Sequence, residues 1–245
     1  MKKHGSGLGE TALKAKPDVG VAVIGGSDTL SVGDIAKRLK NWIPKVADDS
    51  CEKAAIYHAE LLKFNKTLNL ISANTVKTAD SVHVADSMFA SLIVEESAVA
   101  GHAIYDFGSG NGCPGLIYAI LYPARKVFLV DRDQRKMEFC KHVGAMLKLG
   151  NLSVLTKGIE EIPNGSVVNA IARGFAPFSK ALLTCRKNFP KGGRFFHMKS
   201  DGWANELASM PSQVFSHWSP SLLGQYRLPE VKSEMFVVMT EKIAE

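Results

Sequence analysis

Apolar positions in the first hundred residues recur every three to four places. Ile35, Leu39 and Trp42 fall at i, i+4 and i+7 behind Ser31-x-x-Asp34, which has the form of a capping box, and Pro44 stops the run. Tyr57, Leu61, Phe64 and Leu68 mark one stripe of a second helix, from about 49 to 65, and Val84, Met88 and Leu92 mark a third, from about 79 to 95. Beyond residue 100 the pattern changes to short apolar runs separated by helical stretches. Strands are expected at 103–105, 127–130, 152–155, 167–172 and 194–198, with helices over 116–121, from Asp133 through Phe139, Val143 and Met146, and over 179–189. A helical piece near 203–209 and two closing strands, near 215–219 and 235–240, complete the series. Val127 to Val130 is the continuous apolar run that a parallel sheet buries on both faces. The series predicts an α/β chain: a mostly parallel, seven-stranded, Rossmann-like sheet with helices on both faces and a helical cap in front. The parts expected are a loosely held extension over 1–30, the cap over 31–100 and the core over 101–245.

The stretch Asp106-Phe-Gly108-Ser109-Gly110-Asn-Gly112-Cys113-Pro114-Gly115 joins the first core strand to its helix. Strand, glycine turn and helix make the first half of a nucleotide-binding unit, and Pro114 suits a helix start, where no amide partner is lost. Gly110-x-Gly112-x-x-Gly115 also satisfies the dinucleotide pattern, which on its own is weak. Asp106 tips the reading. A carboxylate at the strand end repels a pyrophosphate and favours S-adenosylmethionine, which carries an ammonium and a sulfonium. Asp131, at the end of the second strand, is placed to accept ribose hydroxyls, while Asp133 is the better helix cap. The loop, Asp131, Glu160 and Arg173 are expected to converge at the carboxyl ends of the strands. Near the amino terminus, Val21 to Gly26 imitates a dinucleotide turn but lacks the third glycine.

A chain of 245 residues is long enough for one large α/β domain with a small appendage, and a net charge of +6 is compatible with a polyanionic partner. Cys51, Cys113, Cys140 and Cys185 are widely spaced with no CxxC, so no zinc site or disulfide framework is indicated and a reducing compartment is the default. No apolar run has the length of a membrane span or a signal core, which points to the cytoplasm. His83 and Asp86, three apart on one helix face, lack the further ligands a metal needs, and no metal is expected.

Amino-base methylation would call for an Asn/Asp-Pro-Pro-aromatic clamp after the fourth strand, where this chain has Ala172-Arg173-Gly174-Phe175. Cytosine-C5 chemistry would need a nucleophilic cysteine, but Cys113 lies in the glycine loop and Cys185 in a helix. Guanine N7 is a lone-pair acceptor with no proton to lose, so its methylation needs alignment more than a base. Arg173 is the candidate catalytic residue: its fork can hold guanine O6, a phosphate or the cofactor carboxylate, or it pairs structurally with Glu160 or Asp106. Phe175 can stack on a base, and Lys199 and Arg194, with Arg186, Lys187 and Lys191, form a basic zone near strand five suited to phosphates.

Asp106 to Gly115, Leu129-Val-Asp131, Ile159-Glu160-Glu161, Ile171 to Ala176 and Met198-Lys199 resemble, in order, the motifs of the small-subunit ribosomal RNA guanine-N7 methyltransferase family, also called glucose-inhibited division protein B. Phe64 to Ser72 and His83 to Ser87 are similar to its upstream segments. The resemblance spans about Ala54 to Lys199. It implies a class I S-adenosylmethionine-dependent fold and methyl transfer to guanine N7 in 16S rRNA near the decoding region. The partner implied is that rRNA, within the small subunit or an assembly intermediate, and the enzyme is expected to act as a monomer. Gly108, Cys113, Ile159, Glu160 and Arg173 match the family's cofactor contacts by position; Ser109, Gly110, Gly112 and Pro114 complete the loop. Departures are Phe64 for the family's usual Trp, Cys113 for Leu or Phe, Gly158 for a basic residue that Lys157 replaces one place earlier, and Ser200 for Gly. Two readings of other classes compete: a nicotinamide-dependent oxidoreductase using Gly110, Gly112 and Gly115, and a catalytically silent RNA-binding module.

Overall fold

The computed structural model describes residues 30–245; the expectations for the amino-terminal extension and for Val21 to Gly26 fall outside the described residues. Helix α1 (Val32–Trp42) begins as its capping box requires: the Ser31 hydroxyl accepts from the Asp34 amide at 3.1 Å, and Asp34 accepts from the Ser31 amide at 3.2 Å. Helix α2 (Asp48–Leu68) runs three residues past its expected end and stops at Asn69, which takes the left-handed conformation at φ 49°. The third expected helix is two pieces, a π-helical turn over Asp80–Ala85 and then α3 (Asp86–Ser97).

The core follows as β1 (Ile104–Phe107), α4 (Gly115–Leu121), β2 (Val127–Asp131), α5 (Gln134–Met146), β3 (Leu152–Thr156), β4 (Asn169–Arg173), α6 (Phe178–Cys185) and β5 (Arg194–Ser200). Then come α7 (Trp203–Ala208), α8 (Ser212–Phe215), β6 (Trp218–Arg227) and β7 (Glu234–Lys242). The seven strands lie in the order β3-β2-β1-β4-β5-β7-β6, with β1 to β5 parallel and β7 antiparallel to both its neighbours. The expectation of a strand over 215–219 needs correction. Residues 212–215 are helical and the strand runs from Trp218 to Arg227. As an edge strand it carries polar residues and Pro220 where a central strand would show an apolar run.

Alternate strand residues face opposite ways, so the sheet divides two apolar clusters. Val127, Leu129 and Ile104 pack with α1 to α5, while Phe107, Val130 and Phe195 pack with α6, α8 and Trp218. The amino-terminal helices therefore share one continuous core with α4 and α5, since Leu39, Tyr57 and Met88 belong to the same cluster as Leu116 and Phe139. All four cysteines are buried and unpaired, and among the described residues no helix is long and apolar enough to cross a membrane.

Strand order reverses between β1 and β4, one strand going to each side of β1, and the crevice at such a reversal is where open α/β sheets take ligands. Asn169, fully buried at the start of β4, steadies the approach to this point. Its amide accepts from Val99 N at 2.8 Å and donates to Val99 O at 3.0 Å, tying the segment before β1 to the sheet. Asn169→Ala leaves both Val99 groups without that partner and is expected to lower stability by about 2 kcal/mol, read from a shifted denaturant midpoint with an unchanged slope.

Candidate active site

The glycine loop is built by close contact. A Cβ on Gly115 would lie 2.4 Å from Leu129 Cδ2 and 2.6 Å from Asp106 Cβ, so only glycine lets α4 seat on β1 and β2. Gly108 has φ +69°, and a Cβ there would stand 2.9 Å from the Phe175 ring. Ser109 is a clamp between strands: its buried hydroxyl donates to Asp106 O at 2.8 Å and accepts from Val130 N at 3.0 Å. Gly110 N donates to Asp131 Oδ2 at 2.9 Å. Behind the turn, the Tyr57 hydroxyl donates to Asn111 O and lies 3.0 Å from Cys113 Sγ, so the helical cap grips the loop. Burial pushes the Cys113 thiol up, which keeps it protonated and unreactive. Pro114 is the residue before the first turn of α4.

Asp106 sits differently from its expected role. Its carboxylate is completely buried, turned under the loop to accept from Gly115 N at 2.9 Å, and is absent from the wall of the cleft. Burial pushes its pKa up to about 7, against the opposing pull of the Gly115 amide and the Arg173 charge. It anchors the start of α4 rather than presenting a bare charge to a ligand.

In front of the loop lies a cleft of about 410 Å³ at the carboxyl ends of the strands, and Gly108, Asp131, Ile159, Glu160 and Phe175 of the expected residues line it. Lys157, Arg132 and Lys180 join them. Lys157 and Gly158 both line the cleft, so the cation expected to stand in for a basic residue at Gly158 is found there. Sequence reading passed over Arg132 and Lys180, for a single cation between polar neighbours carries no pattern. Asp131 accepts from Asp133 N on one oxygen and Gly110 N on the other, each at 2.9 Å, and Asp133 caps α5 through Lys136 N. Glu160 is exposed and pairs with Arg132; its own backbone amide and then Arg132 hold its carboxyl below the usual range.

Ser109, Gly110, Gly112, Cys113 and Pro114 form the body of the loop and are not part of the cleft wall. Arg173 ends β4 as expected but is not among the residues lining this cleft, and it pairs with neither Glu160 nor Asp106. It binds Asp86 Oδ2 at 3.2 Å, His83 Nδ1 at 3.0 Å and Val82 O at 3.1 Å, so the two residues weighed as a metal pair are held by the arginine. Among the described residues no group of three or more His, Cys, Asp and Glu is placed to hold a metal. Because Arg173 is always a donor, His83 Nδ1 accepts and Nε2 carries the proton toward Thr75 Oγ1, 3.0 Å away. Burial, reinforced by Arg173, lowers the His83 pKa to about 3. The basic zone around strand five is split. Lys199 pairs with Glu206 and lies over the Phe178 ring at the carboxyl end, while Arg194, at the amino end, binds Glu241 and Ser97 O, away from the cleft.

Residues 50–222 match the family model described as GidB, rRNA small subunit methyltransferase G. Ribosomal RNA small subunit methyltransferase G 3 of Bdellovibrio bacteriovorus is 48% identical over 207 residues, covering 84% of this chain and 94% of that protein. Ribosomal RNA small subunit methyltransferase G of Paracoccus denitrificans is 33% identical over 167 residues, 68% of this chain and 83% of that one. Among solved structures, a mutant of MtNAS in complex with S-adenosylmethionine has a TM-score of 0.52 at 14% identity, covering 87% of this chain and 88% of its own. The tRNA methyltransferase TrmI of Aquifex aeolicus has a TM-score of 0.51 at 13% identity, covering 65% and 69%. At such identity these two speak for the fold alone.

The raised pKa of Asp106 sets a pH dependence. The folded state holds its proton up to about pH 7, whereas the unfolded chain releases it near 3.8, so this group's contribution is full below 3.8 and is lost as pH rises through 7. Asp106→Asn is expected to flatten that fall, measured as unfolding free energy at a series of pH values between 4 and 8.

Proposed function

The chain belongs to the rRNA small subunit methyltransferase G family, and we propose that its cleft carries out methyl transfer from S-adenosylmethionine to N7 of a guanosine in 16S rRNA near the decoding region. The fold is the Rossmann-like class I S-adenosylmethionine-dependent methyltransferase fold, and the protein is an enzyme of that class. The observation that carries the reading is the cleft itself: every residue lining it lies within the segment that the family model matches. The nicotinamide and silent-module alternatives give way to this membership.

The donor-site residues fit a nucleoside-bearing ligand. Val130 and Ile159 offer an apolar wall for a base, and each Asp131 oxygen keeps acceptor capacity beyond the one amide it binds. Glu160 supplies a second carboxylate at the rim. Gly108 brings the loop backbone to the cleft with no side chain in between. S-adenosylmethionine supplies an electrophilic methyl on a positively charged sulfur.

On the acceptor side the protein has little proton chemistry to do, because guanine N7 attacks with a free lone pair. Arg173 fixes the geometry from the end of β4, and Phe175, beside Gly108, offers a face for the base. Lys157 and Lys180 line the cleft and suit phosphate oxygens, and Lys199, held by Glu206, adds a third cation at the end of β5. The rRNA is bound within the small subunit or an assembly intermediate, by a monomer.

Asp131→Ala is expected to weaken S-adenosylmethionine by roughly tenfold or more, the worth of hydrogen bonds to a charged group. Calorimetric titration measures it, and tight binding of a nicotinamide dinucleotide in place of S-adenosylmethionine would overturn the reading. Mass spectrometry of 16S rRNA from cells lacking the gene should show one methylguanosine missing, restored in full by the wild-type protein and only to a small fraction by Arg173→Ala.

A further inference from the structure

The guanidinium of Arg173 is held by one short stretch of chain. Nη1 donates to Val82 O at 3.1 Å and to Asp86 Oδ2 at 3.2 Å, and Nη2 donates to His83 Nδ1 at 3.0 Å. The π-helical turn over Asp80–Ala85 makes this possible. In an α-helix the amide of residue 86 would take the Val82 carbonyl. Here the Asp86 amide goes to His83 O and Ser81 O, and the Val82 carbonyl accepts from the arginine.

The other half of Asp86 is held from across the sheet. The Tyr226 hydroxyl donates to Asp86 Oδ1 at 2.7 Å, and its ring is stacked on Phe89 with centroids 5.3 Å apart. Each carboxylate oxygen thus has its own donor: Arg173 on one, Tyr226 on the other. Tyr226 belongs to β6, two strands beyond β5, and lies past residue 222, where the match to the family model ends. The Asp86 side chain is 2% exposed and that of Arg173 17%.

Burying an ion pair together with a neutral histidine and a phenol is a poor way to stabilise a fold, since apolar residues of the same volume often do as well. What the arrangement does supply is direction. Three of the five guanidinium donors are committed, and the remaining two are fixed in space at the carboxyl end of β4, beside the glycine loop, where the charge is felt by Cys113 and Asp106. We propose that Tyr226 and His83 are positioning residues for methyl transfer, which lock Asp86 and the Arg173 guanidinium into the direction the reaction uses. This inference rests on the reading that Arg173 acts in the reaction.

A double-mutant cycle tests it, with small ribosomal subunits from cells lacking the gene as substrate and methylguanosine formation at saturating S-adenosylmethionine as readout. Tyr226→Phe removes one oxygen and keeps the ring on Phe89, so the protein should stay folded with only the modest fall in melting temperature that one lost buried hydrogen bond brings. Its rate is expected to fall about 10- to 100-fold, the effect of a small misplacement of a reacting group. In an Arg173→Ala background the same change should alter the rate less than twofold, because the residue it aims is gone. Where Arg173→Ala does not fold, Arg173→Met, which keeps length and carries no donor, takes its place, and the same loss of effect is expected. Equal effects of Tyr226→Phe in both backgrounds, or no effect in the wild type, would overturn the proposal. An Arg173→Ala enzyme of full activity would instead overturn the role of Arg173 itself, and the positioning role with it.

Discussion

Everything at this site depends on how closely α4 can approach β1 and β2. With hydrogen in place of a side chain at Gly115, the helix start settles onto Leu129 and the Asp106 side chain, at distances no Cβ would tolerate. Seated there, its first amide reaches the Asp106 carboxylate, and the chain between strand and helix has to turn through left-handed glycines. That turn puts Gly110 N against Asp131, Ser109 across to Val130 and Asn111 under Tyr57. One steric condition thus fixes the relative positions of β1, β2, α2 and the rim of the cleft.

The same condition changes the meaning of the acidic residue. A carboxylate shut away from water loses much of its hold on ionisation, and the amide it binds returns only part. Discrimination against phosphate-bearing ligands cannot then rest on a bare charge at Asp106. The acidic groups that do reach the cleft are Asp131 and Glu160, one tied to two backbone amides and the other to Arg132.

Much of this was legible in the chain, and what was not has physical causes. The inner parallel strands β1, β2, β4 and β5 are legible as apolar runs because the sheet covers them on both faces, and the capping residues Ser31 and Asp133 by their local chemistry. β6 is hard to place because Ser219, Pro220, Ser221 and Gly224 interrupt its apolar positions. The π turn was invisible, for its apolar positions at Val84 and Met88 keep helical spacing while its hydrogen bonds do not. Glu160, Asp131 and Phe175 were found as cleft residues, since strand ends can be counted. The partners of Arg173 are not legible in the sequence, because His83 and Asp86 come to it across 90 and 87 residues of chain, and Tyr226 reaches Asp86 across 140. Arg194 looked like a neighbour of Lys199, but a strand separates residues five apart by about 17 Å.

The cap helices, finally, have no core of their own. Leu39, Tyr57 and Met88 pack in the same apolar mass as Leu116 and Phe139. Swinging these helices away as a hinged lid would expose that mass to water, at a cost that grows with every square ångström uncovered. None of these helices lines the cleft, whose apolar wall of Val130, Ile159 and Phe175 belongs to the second cluster, so the cap braces the glycine loop from behind and leaves the cleft open in front.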